Sequence, residues 1–557
     1  MIAPASRLEA EIFELWKEIR PDDAYIAGID EAAGKSFVPT EANVRRALAR
    51  IKALMKRATK EDDVTAKKFL AGLEARIALA EPGQWPEGIL ESFFFVMLKS
   101  GVRDDLMTSI AAAGRRTLDA VRKRSARRRT PTGQRILALL AGHGLLDVIA
   151  TVKAEAKESS TKEELTKLRR AVDRYLRAFE VRGFRPEGTF EETYELLKKI
   201  GADLGRSRIY AKALRGLWDY EETPAQVEAT GLRMVRRELP RFREIVAAFA
   251  RDLGCEPQAE AVENKLKEIR GLRKDQILPY ILGLREVAEK VAHKHLIDIN
   301  PKYSTLVVET PPYLANLIPS GAAYSLDSLT DRSREVFLAT TDERSQPKPG
   351  PAEILNLLVH EEYGHCVHGS NATHAYRAQP RLLDVLNSPA GCTSEGLAFQ
   401  LELDFVPILR GIAEGRLAGP EESAFAAYLE PWGGIRTMAR EYEFYTYLWR
   451  QVRFLRVIGD ARINSGKQGL VDFIDWAYRA TGLQKATVYY QLFPAHQVLG
   501  PGYATTYAII GERIRAIQGK ARRRGKALRD FNGYAASIGW PAKSIFEAKL
   551  EAWARAR

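Results

Sequence analysis

The sequence is poor in several things that would have given an easy reading. It has three cysteines in 557 residues, Cys255, Cys366 and Cys392. So few cannot build a disulfide framework, and a reducing cytoplasm is the expected compartment. Cys366 and Cys392 lie near the motif described below but lack CxxC spacing, so they are expected to pack as small buried groups. No run approaches the roughly 20 consecutive apolar residues of a membrane span, and stretches such as 354–359 are short and interrupted. The first residues, MIAPASRLEAEIFELW, carry Glu9, Glu11 and Glu14 where a secretory signal needs an apolar core, so export by that route is not expected. No repeat of fixed period occurs.

What is present is a globular composition, 45% apolar and 28% charged, which excludes disorder. Eighty-five Lys and Arg against 72 Asp and Glu give a net charge of +13. The basic residues cluster at Arg115-Arg116, Arg122-Lys123-Arg124, Arg127-Arg128-Arg129 and Arg522-Arg523-Arg524. Elsewhere they alternate with acids at helical spacing, as over 162–167, which is the pattern of a solvated helix face. No zinc finger, RNP or helix-turn-helix signature accompanies the charge, so nucleic acid is a minor reading.

Residues 1–299 read as helix after helix. In 163–179, Leu165, Leu168, Val172, Tyr175, Leu176 and Phe179 recur at steps of three and four. Breaks are expected at Glu81-Pro82-Gly83, Thr130 to Gly133 and Arg182 to Gly188. His293 and His295 are two apart and face opposite ways on a helix, which suits structural roles. The character changes near Asn300. Thr305–Thr310, Ala322–Leu326 and Glu335–Thr341 are short, β-rich and bounded by turn residues, and they predict a small antiparallel sheet. From Pro351 the chain is helical again, with Pro351 suited to the first helical position and Glu353 to the first turn. The expected fold is mainly α, with a helical region 1–299 and a catalytic region 300–557 forming one intertwined unit.

Four of the eight histidines, His360, His365, His368 and His374, fall within fifteen positions. The segment Leu355-Asn-Leu-Leu-Val-His360-Glu361-Glu362-Tyr363-Gly364-His365-Cys366 has the grammar of a zinc-peptidase helix. Imidazoles hold the metal, and a carboxylate beside the first one acts on water as a base. The spacing departs from HExxH. Four residues turn a helix by about 400°, whereas five turn it by about 500° and leave the rings about 140° apart. A one-residue π-bulge at Tyr363-Gly364 would return His365 to the face of His360, and glycine tolerates the change. His360 and His368 sit about 12 Å apart along the axis, too far to share an ion. His365 with His368 could share one but would waste the position of Glu361. A buried helix with chance histidines is the plain alternative.

Two histidines leave a catalytic site one ligand short. In Thr393-Ser-Glu395-Gly-Leu-Ala398-Phe-Gln-Leu-Glu402, residues 395, 398 and 402 share a helical face beside an apolar stripe. Glu395 is the expected third ligand, and Glu402 the group that steadies a ligand histidine. The competing role for Glu395 is that of an acid favoured at a helix N-terminus. An oxyanion partner is expected from His496, Tyr503 and Tyr507 around the loop Gly500-Pro501-Gly502, although both tyrosines could also be packing residues.

Taken in order, ETPPY (309–313), SGAAYS (320–325), VFLATT, the His-Glu helix, SEGLAFQLE and PGYATTY resemble a gluzincin-like bacterial peptidase family with HExxPGHH, EGWAxYxE and PGQAxxY motifs. The resemblance covers residues about 300 to 515. It implies His360 and His365 as ligands, Glu361 as base, Glu395 as third ligand, and Tyr507 at the tyrosine of PGQAxxY. The chain departs from the family in several places. The proline of HExxPGHH is missing, giving the HExxGH form also seen in dipeptidyl peptidase III. Cys366 replaces the last histidine, Leu397 the aromatic after EG, and Tyr503 the glutamine of PGQA. His496 stands where the family usually has arginine.

The expectation is a zinc-dependent cytoplasmic metalloprotease acting on short or unfolded peptides, with no membrane partner. Zn2+ would be held by His360, His365 and Glu395, with Glu361 as base and Tyr507, Tyr503 and His496 at the oxyanion. The strand at Val336–Thr341 would offer an edge to the substrate backbone. The alternatives are a zinc amidohydrolase acting on a non-peptide or modified intermediate, and a basic helical nucleic-acid-binding or scaffold protein with a non-catalytic site.

Overall fold

The computed structural model describes residues 4–127, 129–312, 318, 320–342, 348–378, 382–386 and 393–556. Cys392, Tyr313 and Arg128 lie outside them. The fold is mainly α: helices fill the chain on both sides of one three-stranded sheet. The helix Ser159–Phe179 buries Leu165, Leu168, Val172, Tyr175 and Phe179 along one stripe, the 3.6-residue periodicity expressed as packing. Some helices begin at side-chain caps. Thr189 with Glu192 and Thr223 with Gln226 form reciprocal capping boxes that satisfy otherwise orphaned amides. The expected breaks near 82, 131 and 185 fall between helices.

Thr132–Glu155 is long and apolar enough to cross a membrane, with a mean hydropathy of 1.6 over its most apolar window. A search for unbroken apolar runs overlooks it, because His143 and Asp147 interrupt the stretch. Here 56% of that window is buried inside the protein, against the helices Gln84–Ser100 and Ser159–Phe179.

The three strands are β1 (Thr305–Glu309), β2 (Gly321–Leu326) and β3 (Arg334–Ala339), in the order β1-β3-β2. The sheet is mixed, which corrects the all-antiparallel expectation. β2 pairs β3 antiparallel, with Ala323 opposite Phe337, while β1 pairs β3 parallel, with Val307 opposite Phe337. The chain reverses once between β1 and β2 and again before β3. After two reversals β3 runs with β1 and slots between its predecessors. β3 is therefore the central strand, with Val336, Phe337, Leu338 and Ala339 fully buried, and it has no free edge for a substrate. Among the described residues the sheet's two edges are β1 and β2.

The stretches on either side of residue 300 pack through polar as well as apolar contacts. Buried Arg206 donates to Glu81, Asn464 and Gln497. Tyr210 donates to Asp460 at 2.7 Å, and Trp218 to the Pro501 carbonyl at 2.7 Å. His293 accepts from the Ile299 amide and His295 binds Glu422, both structural contacts.

Candidate metal centre

One helical rod carries the histidines. It runs as an α-helix over Pro351–Leu358, widens to a π-helix over Val359–Cys366, and returns to α-helix over Val367–Ala378. Pro351 occupies its first turn, and Glu353 accepts from the Gly350 amide at 3.2 Å. The widened turn absorbs the extra residue between the histidines. The Nε2 atoms of His360 and His365 stand 3.4 Å apart, with ring centroids 5.0 Å apart.

Gly364 serves contact rather than backbone freedom. A β-carbon there would lie 2.6 Å from Cα of Ala398 on the helix Thr393–Ala413. On that second helix, Gly396 is equally tight against a third, Thr506–Arg522. A β-carbon at Gly396 would fall 2.6 Å from Cβ of Ile510 and 2.9 Å from the Gly511 amide. Small residues at both crossings let three backbones close in, and Glu395 reaches the histidines from the middle one.

Glu395 Oε2 lies 3.5 Å from Nε2 of His360 and 3.4 Å from Nε2 of His365. The three residues offer ligand atoms all within 4.8 Å of one another, close enough to hold a metal ion. Glu395 Oε2 is buried and takes no hydrogen bond, while Oε1 accepts from the Tyr503 hydroxyl at 2.9 Å. Burial works against the charge of Glu395, but the two imidazoles outweigh it and hold its pKa well below the usual range.

His360 is fixed from behind by Glu402, whose Oε1 accepts from Nδ1 at 2.6 Å. Glu402 Oε2 in turn accepts from Arg453 at 2.6 Å. Burial opposes a charge on His360, yet the carboxylates of Glu395 and Glu402 beside it prevail and raise its pKa to about 9. Surroundings that favour a proton on this ring favour a cation beside it. Burial raises the pKa of Glu402, but Arg453 and His360 more than reverse the effect.

The adjacent glutamates have separate fates. Glu362 is wholly buried and locked by Arg285, at 2.5 and 2.6 Å, and by the Tyr303 hydroxyl at 2.9 Å. Glu361 faces a cavity of about 1860 Å³ that also reaches His360, His365 and Glu395. Burial raises the Glu361 pKa, offset in part by His360 and His365.

The Gly500–Gly502 loop delivers the remaining groups to the same cavity. Tyr507 stacks on His360, with ring centroids 6.2 Å apart, and its hydroxyl is 3.4 Å from that of Tyr503. Burial, then Glu395, keeps the Tyr507 pKa well above its usual value. His496 stacks on Tyr503 at 5.7 Å, and burial, then Arg456, keeps it neutral. Every residue singled out for the site therefore reaches one region.

The cluster's other two histidines, His368 and His374, and Cys366 do not join it. His368 packs on Trp540 and contacts the Gly539 carbonyl at 3.1 Å, and His374 is exposed. Cys366 is buried with Sγ against the Val336 carbonyl. Sequence reasoning missed Arg453 and Arg456, which line the cavity from the helix Gly434–Asn464. The signal was there: Arg450, Arg453 and Arg456 recur at steps of three inside an apolar run without acids.

No family model matches the chain, and no curated protein matches it. Two solved structures are similar over essentially their whole length. One is a candidate lipoprotein of unknown function from Shewanella oneidensis, with a TM-score of 0.63 and 16% identity over 97% of this chain and 98% of that one. The other is a candidate lipoprotein from Colwellia psychrerythraea, with a TM-score of 0.63 and 15% identity over the full length of both. What this chain shares with them is the fold, helical half and sheet-bearing half together.

Proposed function

We propose that this chain is a zinc-dependent peptidase that hydrolyses short or unfolded peptides. The observation that carries the reading is the meeting of His360, His365 and Glu395 within 4.8 Å beside an uncommitted carboxylate, Glu361, on a cavity wall. Two imidazole nitrogens and a carboxylate suit zinc and leave a coordination position open. The fit is supported by Glu395 Oε2, a buried acceptor without a hydrogen bond that faces both Nε2 atoms. Bound there, zinc would supply Lewis acidity toward a substrate carbonyl and toward water.

The chain's own groups would do the rest. Glu361 takes the proton of the attacking water and passes it to the leaving amine. Tyr507 donates its hydroxyl to the oxyanion, with Tyr503 anchored on Glu395 beside it and neutral His496 behind. Glu402 and Arg453 hold the His360 ring in place. The free edge of β2 runs along the cavity at Gly321, Ala322 and Ala323, where an extended peptide could add as a strand. A cavity walled by helices from both halves of the chain favours short or unfolded substrates.

The motif resemblance to gluzincin-like peptidases supports the same reading. The cytoplasm is the compartment that cysteine usage favours. Structural neighbours described as lipoproteins make membrane association the competing location, and cell fractionation decides between them.

Elemental analysis of purified protein beside Glu395→Ala tests the proposal. The expected result is about one zinc per chain, largely lost in the variant. Freshly purified protein that contains no zinc and binds none when it is added would overturn it.

A further inference from the structure

Three arginines spaced by three project from one helix, and their partners differ. Arg450 is paired bidentately with Glu238 at 2.6 and 2.8 Å. Arg453 is paired with Glu402 at 2.6 Å. Arg456 is 6% exposed, and among the described residues no carboxylate lies within ion-pair distance of it. Among the described residues its one side-chain acceptor is the neutral amide oxygen of Gln491, and its Nε has no hydrogen-bond partner there. Burial pulls its pKa down to about 10, so the guanidinium stays charged at neutral pH. Glu395 favours the charge only from beyond ion-pair distance; a buried cation without a paired carboxylate is costly, and such sites normally find one.

The guanidinium lines the same cavity as the candidate metal centre. Its Cζ lies 5.2 Å from the centroid of Tyr507, a ring that also stacks on His360. A single tyrosine ring thus separates it from the histidines.

We propose that Arg456 receives the C-terminal carboxylate of the substrate, making the chain an exopeptidase that works from the carboxyl end. This rests on the peptidase reading above. A free carboxylate matches the guanidinium in charge and in its bidentate geometry. A C-terminal amide matches it in neither, and an internal segment would leave the cation buried and unpaired. The reaction is hydrolysis: one peptide bond breaks, and water supplies hydroxyl to the carbonyl carbon and hydrogen to the departing amine.

The test uses the zinc-loaded full chain and two synthetic peptides of one sequence, one a free acid and one a C-terminal amide. The free acid should be shortened from its C-terminus, with a kcat/KM at least roughly 30-fold above that of the amide, as expected for losing one partner of a buried charge pair. Arg456→Met should collapse that ratio toward one, chiefly through KM on the free acid, while retaining zinc and its thermal midpoint. Arg456→Lys should restore part of it. Equal cleavage of both peptides overturns the proposal and leaves the peptidase reading standing. So does an Arg456→Met loss of kcat shared by both peptides, which would assign the guanidinium to the transition state. If neither peptide is cleaved, calorimetric binding of the same pair to Glu361→Gln decides. Free-acid preference that disappears in Glu361→Gln/Arg456→Met keeps the carboxylate site while the peptidase reading falls, and equal or absent binding overturns the site as well.

Discussion

In Glu402→Gln, one atom changes at the back of the candidate metal centre. Glu402 is fully buried, with one carboxylate oxygen on Nδ1 of His360 and the other on Arg453. The amide keeps the shape and one acceptor. It also turns an NH2 toward a donor and strips Arg453 of its countercharge in the interior. Breaking a buried ion pair from one side costs about 3–5 kcal/mol, and the retained carbonyl brings the expected loss to about 2–4 kcal/mol. The weakened support of His360 should lower zinc affinity about 10- to 100-fold. Arg453→Met removes the stranded cation, so the double variant should lose less than the sum of the two singles, by more than about 1 kcal/mol. Reversible urea unfolding of the four proteins and a zinc competition titration measure both quantities. Additivity within about 0.5 kcal/mol, or unchanged zinc affinity in Glu402→Gln, would refute the coupling.

Gly364→Ala should destabilise the protein by about 1–3 kcal/mol through overpacking and also weaken zinc, because Ala398 sits on the helix that carries Glu395. Ala398→Gly in the same chain should restore both only in part, because Cα of residue 398 still lies 2.6 Å from the added β-carbon, and no recovery at all would show that the glycine is needed for another reason. Glu361→Gln should keep one zinc per chain and lose about 100- to 10,000-fold in kcat; retained hydrolysis would remove Glu361 from its role. Glu238 gives a pH prediction away from the centre. Burial opposes its charge, but Arg450 lowers its pKa to about 2. A depressed carboxylate contributes stability that is complete above its unfolded value near 4.5 and fades as pH falls toward 2. The contribution is about 3 kcal/mol. Urea midpoints at pH 6 and pH 3 should therefore converge in Glu238→Gln relative to the parent, and parallel profiles would contradict this.

The parts of the fold that were legible in the sequence are those set by local periodicity and by breakers. The helix Ser159–Phe179 follows its apolar stripe, and the three strands fall within a residue or two of their β-rich runs. The pairing of those strands was not legible. β1 finds β3 rather than β2, and that choice depends on what covers the sheet from outside it. The five-residue spacing of His360 and His365 announced a widened turn, because two imidazoles that belong together demand one. The reason for Gly364 was hidden, since Ala398 lies far along the chain. Arg453 and Arg456 were legible only as charges inside an apolar run, and which cavity they line depends on helices remote in the chain.

The widened turn at Val359–Cys366 also acts as a phase shifter within one rod. The segment before it is registered by Asn356, which donates to Thr446 at 3.1 Å. The segment after it is registered by His368 on the Gly539 carbonyl and by Gly369, where a β-carbon would fall 2.7 Å from Glu335. Deleting one residue between the histidines would restore an ordinary helix and the commoner spacing. It would also rotate everything from Val367 onward by about 100°, turning other side chains toward Ser325 and Glu335 of the sheet, where Gly369 now sits. The two ends of the rod are each keyed to their own surroundings, and the extra residue is what lets both keys turn while the histidines still meet.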